Sequence, residues 1–354
     1  MQKVKNFFKK IWSFIKKHKW SIALVVVALG VGGFFIWDSF TAGTPLVDMS
    51  IVIPEKKPVT VAAPLSGRQI SEEQAQKRPI AIVVENHPDA RPQSGLNDAD
   101  IVFETTAEGG ITRFLAIYQS SEPKQIGPVR SARSYFVEWA DSYDALFSHV
   151  GGSEEALSLI KKISIADLNQ FAFGSFYWRD KSRYAPHNVY TTLEKLRAAA
   201  TSKGFKVDNA EVEGYQFKED VEEAVRPVAH KFKVNFNASY APTYAYDPVR
   251  NVYSRSLLGV TQTDANTKEP IAAKNVVVAF SNLTTQLIRG TGYTMIDTTD
   301  SGVANFYIDG VKTVGKWSRT AGEQIKFYGA DGKALQFNVG TTWIDFVAKG
   351  TLVQ

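Results

Sequence analysis

Three short apolar runs separated by polar loops lie between residues 78 and 133, and they constrain the fold more than any other feature. The runs are IAIVVE at 80–85, DIVFET at 100–105 and TRFLAIY at 112–118. Each run is almost continuously apolar, which is typical of a strand with both faces buried. Such strands need packing partners on both sides, so they predict the centre of a layered sheet rather than a surface hairpin.

Helical patterns alternate with these strands in the first half of the chain. A fourth strand is predicted at 145–150, and helices are predicted at 133–140, 154–162 and 191–203. Thr191 or Thr192 is suited to cap the last helix, and Gly204 is suited to end it. Strands that alternate with helices predict an α/β class, here a layered α/β first domain over 78–205.

The second half of the chain, 206–354, is rich in β-strand signals. Eight strands are predicted, with turns at Asp309-Gly310 and Asp331-Gly332 that favour hairpins. The predicted strands are 231–236, 243–246, 251–255, 275–280, 302–308, 324–327, 335–339 and 342–347. This half is therefore predicted to form a β-rich second domain.

The N-terminal region predicts a membrane anchor. Residues 20–37 carry no charge and would span roughly 27 Å as a helix, with Trp20 and Trp37 at the two ends. The tail 1–19 holds seven lysines and no acid, which predicts that it is cytoplasmic and that later residues are extracytoplasmic. A proline-bearing linker is predicted over 38–77. A signal peptide cleaved near residues 41–43 is the alternative, but the apolar run is long for one.

Composition excludes several classes of site and partner. The chain has no cysteine, so disulfides, thiolate nucleophiles and a lipid-modified cysteine are excluded. The net charge of +5 comes from the seven lysines of the tail, which leaves −2 for the remaining residues. A folded part of that charge has no electrostatic basis for binding nucleic acid.

The segment GPVRSAR at 127–133 predicts an anion site. Ser131 could cap the following helix, whose N-terminus would offer free N–H groups beside the guanidinium groups of Arg130 and Arg133. The alternative is that these arginines pair structurally with Asp100, Glu104 or Glu108. The predicted ligand-binding residues are Arg91, Arg113, Arg130, Ser131, Arg133 and Asn188.

Carboxylates and histidines at strand ends and in loops are candidates for proton transfer. Glu85, Glu104, His149 and His187 are the predicted catalytic residues, and a structural role for either histidine is the alternative. The sequence does not specify a cofactor. The acidic set Asp98, Asp100, Glu104 and Glu108 could, with His87, hold Mg²⁺ or Ca²⁺ or serve as an acid–base pair. These residues fit no metal-binding spacing, and a wall salt-bridged to the arginines is the alternative.

Long motifs of the chain resemble the YerB-like family of bacterial envelope lipoproteins, whose function is unknown. They include RPIAIVVEN, DARPQSGLNDADIVFE, IGPVRSAR and APHN, and later YAYDPVRNVYSR and VGTTWIDFV. The resemblance implies a two-domain, cell-surface protein and no established reaction. This chain differs from the family in its anchor: the family is typically attached through a lipid-modified cysteine, whereas here a transmembrane helix is predicted instead.

A weaker similarity links the segments IGPVR and HVGG to extracytoplasmic LytR-CpsA-Psr domains. It implies binding of polyprenyl-pyrophosphate glycans through arginines and their transfer to peptidoglycan. Ser131 stands where that pattern has an acidic residue, which opposes a catalytic carry-over.

These observations predict a membrane-anchored extracytoplasmic protein of the cell envelope. Its predicted partners are the membrane and an anionic cell-wall ligand, either a glycan or its phosphate carrier, with glycan or phosphate transfer left open. A non-enzymatic scaffold or regulator of cell-wall synthases or hydrolases is one alternative, and a metal-dependent hydrolase is another.

Overall fold

The computed structural model of the protein describes residues 12–18, 33, 59–208, 212–288 and 291–354. Residues 58–354 form one compact unit, separate from residues 1–57. In the first unit, residues 12–17 are helical. The predicted anchor at 20–37 lies outside the described residues, apart from residue 33. Among the residues that are described, no helix is both long and apolar enough to cross a membrane.

A ten-stranded mixed sheet is the centre of the compact unit. Its strands, in chain order, are β1 (Ile80–Glu85), β2 (Ile101–Thr106), β3 (Thr112–Tyr118), β4 (Leu146–His149), β5 (Asp167–Asn169), β6 (Asn275–Ser281), β7 (Asp300–Ile308), β8 (Val311–Arg319), β9 (Lys326–Tyr328) and β10 (Thr342–Ala348). Their spatial order is β9-β8-β7-β6-β10-β2-β3-β1-β4-β5. The sheet therefore contains strands from both halves of the chain.

The C-terminal strand β10 joins the two halves. It pairs in parallel with β6 on one side and with β2 on the other, where Asp345 lies opposite Glu104. The sheet thus crosses the boundary predicted between residues 205 and 206. The prediction of a layered α/β domain and a distinct β-rich domain is therefore wrong, because one sheet contains strands from both halves. The fold is sheet-rich with few helices, because apolar runs identify strands but not the distant strands with which they pair.

Both faces of the sheet are buried along its central strands, as the continuous apolar runs predict. Along β1, Ile80, Ile82 and Val84 face one apolar cluster, whereas Ala81 and Val83 face the other. Helices α1 (Ser134–Asp141) and α2 (Glu154–Ile163) cover the second face, and α3 (Leu193–Lys203) covers the first. A smaller sheet also packs on the first face, with strands Lys231–Lys233, Pro242–Asp247, Val252–Leu257, Val260–Thr261 and Ala272–Ala273.

Short elements complete the compact unit. The second half of the predicted linker contains a hairpin of Thr60–Ala62 with Gln69–Ser71, followed by a helix at Glu72–Gln76. Two-stranded pairs are formed by Trp178–Arg179 with Val189–Tyr190, by Gln216–Lys218 with Gln336–Asn338, and by Leu283–Ile288 with Thr291–Ile296.

The ends of helices α3 and α1 can be compared with the capping residues predicted from the sequence. Thr192 caps α3 by accepting a hydrogen bond from the Lys195 N–H, and Gly204 ends that helix in the left-handed conformation, so both predictions are confirmed. Helix α1 differs, because its N-cap residue is Arg133 and no side chain caps it. The prediction that Ser131 caps α1 is wrong, since the helix begins three residues after Ser131.

A buried charge cluster lies where β2, β10 and the smaller sheet meet. Arg255 donates from one terminal nitrogen to both carboxylate oxygens of Glu104, at 2.6 and 2.8 Å. Tyr244 and Trp343 both donate to Asp345, and Trp343 also reaches Glu104. We call these five residues the Arg255 cluster. Burial and the charge of Glu104 raise the pKa of Asp345 well above its ordinary value.

The ion pair within the Arg255 cluster should be essential for stability. Replacing Arg255 with methionine leaves Glu104 buried without a counter-charge, so we expect a loss of about 3–5 kcal/mol in the free energy of unfolding. Urea denaturation measures the loss. Lys326→Met, which removes an exposed partner of Glu213 and Glu323, is the control and should change stability by less than about 1 kcal/mol. Equal effects of the two substitutions would contradict this role.

Asp345 should make stability dependent on pH. Its carboxyl keeps its proton in the folded state but ionises near pH 4 once unfolded, so stability falls as pH rises from about 4 toward the folded-state pKa, by up to about 1.4 kcal/mol per pH unit. Asp345→Asn removes this contribution.

The stability of Asp345→Asn relative to the wild type should therefore be greater at pH 8 than at pH 5, as measured by urea denaturation at both values. Asp331→Asn, at an exposed turn, serves as the control. A stability difference that stays constant between the two pH values would show that Asp345 is ionised in the folded protein.

Candidate functional site

Glu85, the last residue of β1, is the centre of the candidate site. The segment 127–133 runs beside it, because the Glu85 N–H donates to the Pro128 carbonyl at 2.9 Å and the Arg130 N–H donates to the Val83 carbonyl at 2.8 Å. This places the Arg130 Nε atom 3.0 Å from one carboxylate oxygen of Glu85. The other oxygen lies 3.0 Å from Nδ1 of His187. Glu85 is only 4% exposed, so these two neighbours, rather than water, surround its carboxylate.

Two histidines from separate loops stack at this site. The rings of His87 and His187 lie 4.4 Å apart between centroids, with planes inclined by 15°. His87 is fixed because its Nδ1 accepts the Asp89 N–H at 3.2 Å, at the start of the short helix Pro88–Ala90. The His187 N–H donates to the Tyr184 carbonyl within a turn. The stack therefore brings the loop after β1 against the loop 180–188.

Two further arginines hold the loops together. Arg183 donates to the carbonyls of Asp89 and Pro92, at 3.2 and 2.7 Å. Arg91 donates to the side chain and the carbonyl of Asn86, and its guanidinium lies 5.5 Å from the ring centre of Tyr240. Burial lowers the pKa of Arg91. We call Glu85, His87, Asp89, Arg91, Arg130, Arg183 and His187 the Glu85 cluster.

Arg130 has the most freedom to bind a ligand. Its Nε faces Glu85, whereas its two terminal nitrogens make no hydrogen bond or ion pair with any described residue. The side chain is 26% exposed, and burial lowers the pKa of Arg130 while the charge of Glu85 opposes that effect. Three arginines and two carboxylates give the Glu85 cluster a formal charge of +1 with both histidines neutral. The arrangement is suited to an anion.

Glu108 binds the other two predicted arginines in a neighbouring group. Arg113 donates to its carboxylate at 2.9 Å and also to the Ser131 carbonyl at 3.0 Å. Arg133 pairs with the same carboxylate, and its guanidinium lies over the ring of Tyr293. Burial lowers the pKa values of Arg113 and Arg133. Structural pairing with Glu108, an alternative weighed from the sequence for Arg133, therefore describes its observed contact, and Arg113 shares that partner.

Three predicted site residues have structural contacts: His149 and Glu104 lie apart from the Glu85 cluster, and Asn188 supports the loop that carries Arg183 and His187. His149 is fully buried, with Nε2 2.8 Å from Asp167 and Nδ1 2.7 Å from the Gly151 carbonyl. Asn188 shapes the loop 180–188 by donating to the carbonyls of Asp180 and Arg183. Glu104 belongs to the Arg255 cluster. The structure therefore brings together Glu85, Arg91, Arg130 and His187 from the predicted set, with Arg113, Ser131 and Arg133 beside them.

The residues proposed from the sequence to bind Mg²⁺ or Ca²⁺ do not form one group. Asp100 accepts from the backbone N–H groups of Gln119 and Ser120 and pairs with Arg68, Glu104 pairs with Arg255, and His87 stacks on His187. The hypothesis of a metal-dependent hydrolase built on these residues loses its geometric basis.

A different trio approaches metal-binding geometry. Ligand atoms of His87, Asp89 and His187 lie within 4.8 Å of one another. Imidazole lone pairs lie in the ring plane, so two nearly parallel rings cannot direct them to one ion unless a ring rotates. The guanidinium groups of Arg130 and Arg183 also oppose a cation here. The observed geometry favours an anion over a metal.

Comparisons with known proteins place the chain in a family. Residues 65–206 match the sequence model described as "Protein of unknown function (DUF3048) N-terminal domain", and residues 232–344 match the corresponding C-terminal domain. The putative lipoprotein YerB of Bacillus subtilis is 36% identical over 291 residues, which cover 80% of this chain and 86% of that protein. The chain belongs to this YerB-like family.

The solved structure of a family member agrees with the fold. The crystal structure of the Bacillus subtilis YerB protein matches with a TM-score of 0.76 and 35% identity, over 83% of this chain and 99% of that one. The weaker similarity to LytR-CpsA-Psr domains finds no support in these comparisons. The first family segment ends at residue 206, next to the boundary predicted from the sequence.

Several residues of the site were not predicted in the roles that they take. His87 was considered in an acidic set for metal binding or acid–base chemistry, Glu108 in the same set and as a pairing carboxylate, and Asp89 was not considered. One signal could have drawn attention to the histidines: each is next to a proline, in His87-Pro88 and Pro186-His187, and so lies in a turn rather than a strand. Their stacking could not be foreseen, because 99 residues separate them in the chain.

Proposed function

We propose that the protein is a membrane-anchored, extracytoplasmic component of the cell envelope that binds an anionic cell-wall ligand at the Glu85 cluster. The ligand class is a glycan bearing phosphate, pyrophosphate or carboxylate groups. The unpaired terminal nitrogens of Arg130, held beside two stacked histidines, carry the proposal.

The arrangement around Arg130 supports recognition of an anion. A guanidinium has a planar fork of donors that matches phosphate and carboxylate oxygens. Here the Arg130 Nε lies at ion-pair distance from Glu85 without a hydrogen bond, and the two terminal nitrogens have no partner among the described residues. Orientation before binding reduces the conformational entropy lost when the ligand arrives. Arg91 and Arg183, which hold the neighbouring loops, add positive charge.

We propose binding rather than a defined reaction. The Glu85 carboxylate and His187 are close enough for an ion pair, but their facing atoms are not aligned for a hydrogen bond. A general base held by a carboxylate needs such a bond to orient its ring. The observed contacts position the loops and leave an anion as the partner that the site fits best.

The N-terminal segment supports anchorage in the membrane. The relative is named as a putative lipoprotein, whereas this chain has no cysteine to carry a lipid. An uncharged run at 20–37 after a lysine-rich tail would serve the same purpose as a signal-anchor, with the compact unit outside the cell.

Arg130→Gln should weaken binding of an anionic wall ligand. Loss of charge-assisted hydrogen bonds is worth about 1.5–3 kcal/mol, so the Kd should rise at least about tenfold. Isothermal titration with inorganic pyrophosphate and with purified anionic wall fragments measures the change.

Arg250→Gln is the matched control, because it removes one exposed positive charge from the turn at the far end of the strand Pro242–Asp247. It should leave Kd within about twofold of the wild type, since isolated surface charges contribute little. Identical affinities for Arg130→Gln and the wild type would refute the anion site and favour the scaffold hypothesis.

The cysteine-free chain allows a direct test of topology. Single cysteines are introduced by Asp331→Cys at an exposed turn and by Lys17→Cys in the tail, and intact cells are treated with a membrane-impermeant maleimide. We expect labelling at position 331 in intact cells and labelling at position 17 only after permeabilisation. Labelling at both positions in intact cells, or a mature chain that begins near residue 44, would contradict an uncleaved anchor.

A further inference from the structure

A cavity of about 220 Å³ lies beside the Glu85 cluster, between the loop after β1 and the hairpin of the smaller sheet. Pro92, Leu257 and Val260 give it apolar walls. Its polar lining comes from Arg91, Gln93, Thr261, Gln262 and Thr263. Arg91 therefore belongs both to this cavity and to the Glu85 cluster.

Two buried glutamines of the cavity have side-chain atoms without partners. Gln262 is 7% exposed, and neither its Nε2 nor its Oε1 makes a hydrogen bond to any described residue. Its backbone is fully engaged, because its N–H donates to the Arg255 carbonyl and its carbonyl accepts from the Ile271 N–H. A buried amide that is left unpaired destabilises a protein. This one lines a cavity, so a ligand in that cavity is a candidate for its missing partner.

Gln93 presents a second unpaired atom with a fixed direction. Its Nε2 donates to the Glu85 carbonyl at 2.9 Å and to the Asn86 side chain at 3.0 Å. Both partners are acceptors, so they assign the amide nitrogen of Gln93 to this side. The amide oxygen Oε1 is left unpaired in a residue that is 1% exposed. Gln93 therefore links the backbone of the Glu85 cluster to the cavity.

We propose that this cavity binds the acylamino group of an N-acylated amino sugar. The Gln262 amide has one free donor end and one free acceptor end, which match the carbonyl and the N–H of another amide. Both amide atoms are covered in the observed conformation, so the proposal requires the Gln262 side chain to change its rotamer when the ligand binds. Gln93 adds an acceptor, and the apolar walls suit an acyl methyl group.

The proposal rests on the proposed function, since it assigns the anionic group of the same ligand to the Glu85 cluster. The shared Arg91 and the bond from Gln93 to Glu85 make the two positions adjacent. The substrate class becomes a phosphorylated or carboxylated N-acylated amino sugar, rather than any cell-wall anion.

Gln262→Leu separates a binding role from a structural one. Leucine has a similar volume and no polar atoms, so it removes an unpaired amide and should raise the thermal unfolding temperature. The same variant should lose recognition of the acylamino group. A side chain retained for folding would instead lower the unfolding temperature. Gln324→Leu is the control, because Gln324 is also buried with an unpaired Nε2 but lines a different cavity.

Binding is measured by isothermal titration with three probes: N-acetylglucosamine 1-phosphate, glucose 1-phosphate and a chitin oligosaccharide that has no phosphate. The acetylated phosphate should bind about tenfold tighter than glucose 1-phosphate, as two added hydrogen bonds allow. Gln262→Leu should abolish that ratio without changing the affinity for glucose 1-phosphate. Gln324→Leu should preserve the ratio.

The outcomes distinguish failure of this proposal from failure of the proposed function. Equal affinities for the two sugar phosphates, both reduced by Arg130→Gln, would overturn the acylamino site and leave the anion site standing. If neither sugar phosphate binds, the anion site fails, and the chitin oligosaccharide then tests the acylamino site by itself. Binding of the oligosaccharide to the wild type but not to Gln262→Leu would support the acylamino site. No binding of the oligosaccharide to the wild type would overturn the acylamino site.

Discussion

The buried ion pair between Arg255 and Glu104 is the interaction on which the rest of the structure depends. Glu104 belongs to the first half of the chain and Arg255 to the second, and both are almost completely buried. Separating such charges would leave each without compensation in an apolar interior. Together with the pairing of β10 and β2, this contact fixes how the two halves share one sheet.

The same ion pair is connected to the candidate site by hydrogen bonds. Thr112 donates to Glu104 at 2.7 Å, Asn86 donates to Thr112 at 2.7 Å, and Arg91 donates to Asn86 at 3.1 Å. A continuous series of polar contacts therefore runs from the buried charges to the edge of the Glu85 cluster. Glu104 was predicted as a catalytic carboxylate. Its observed role is structural, because it forms the buried ion pair with Arg255.

The arginines of the site divide into those that build it and the one that remains free. Arg91, Arg113, Arg133 and Arg183 are engaged with carboxylates, carbonyls or aromatic rings, and they hold the loops. Arg130 is paired with Glu85 by charge at Nε, and its terminal nitrogens have no partner among the described residues. This division gives the site its specificity, because the supporting arginines set both the position and the electrostatic field of the binding one.

Local features were predictable from the sequence, whereas long-range ones were not. Continuous apolar runs identified β1, β2 and β3, and Thr192 and Gly204 marked the ends of α3, because these signals depend on neighbouring residues alone. The strand β8 and the hairpin at 283–296 were missed, since their polar, partly exposed strands give no apolar run. The insertion of β10 beside β2 and the stacking of His87 on His187 depend on residues far apart in the chain, which no local pattern encodes.

The most direct test of the account is to observe the side chain of Arg130 while an anion binds. In protein labelled with ¹⁵N, the Nε–Hε resonances of the arginines are followed by NMR during titration with inorganic pyrophosphate. The account predicts a saturable shift of the Arg130 resonance, with an unchanged resonance for Arg226, whose Nε donates to the Val221 carbonyl and whose Nη1 donates to the carbonyls of Pro248 and Val249. An Arg130 resonance that stays unchanged up to saturation of the protein with pyrophosphate would contradict it.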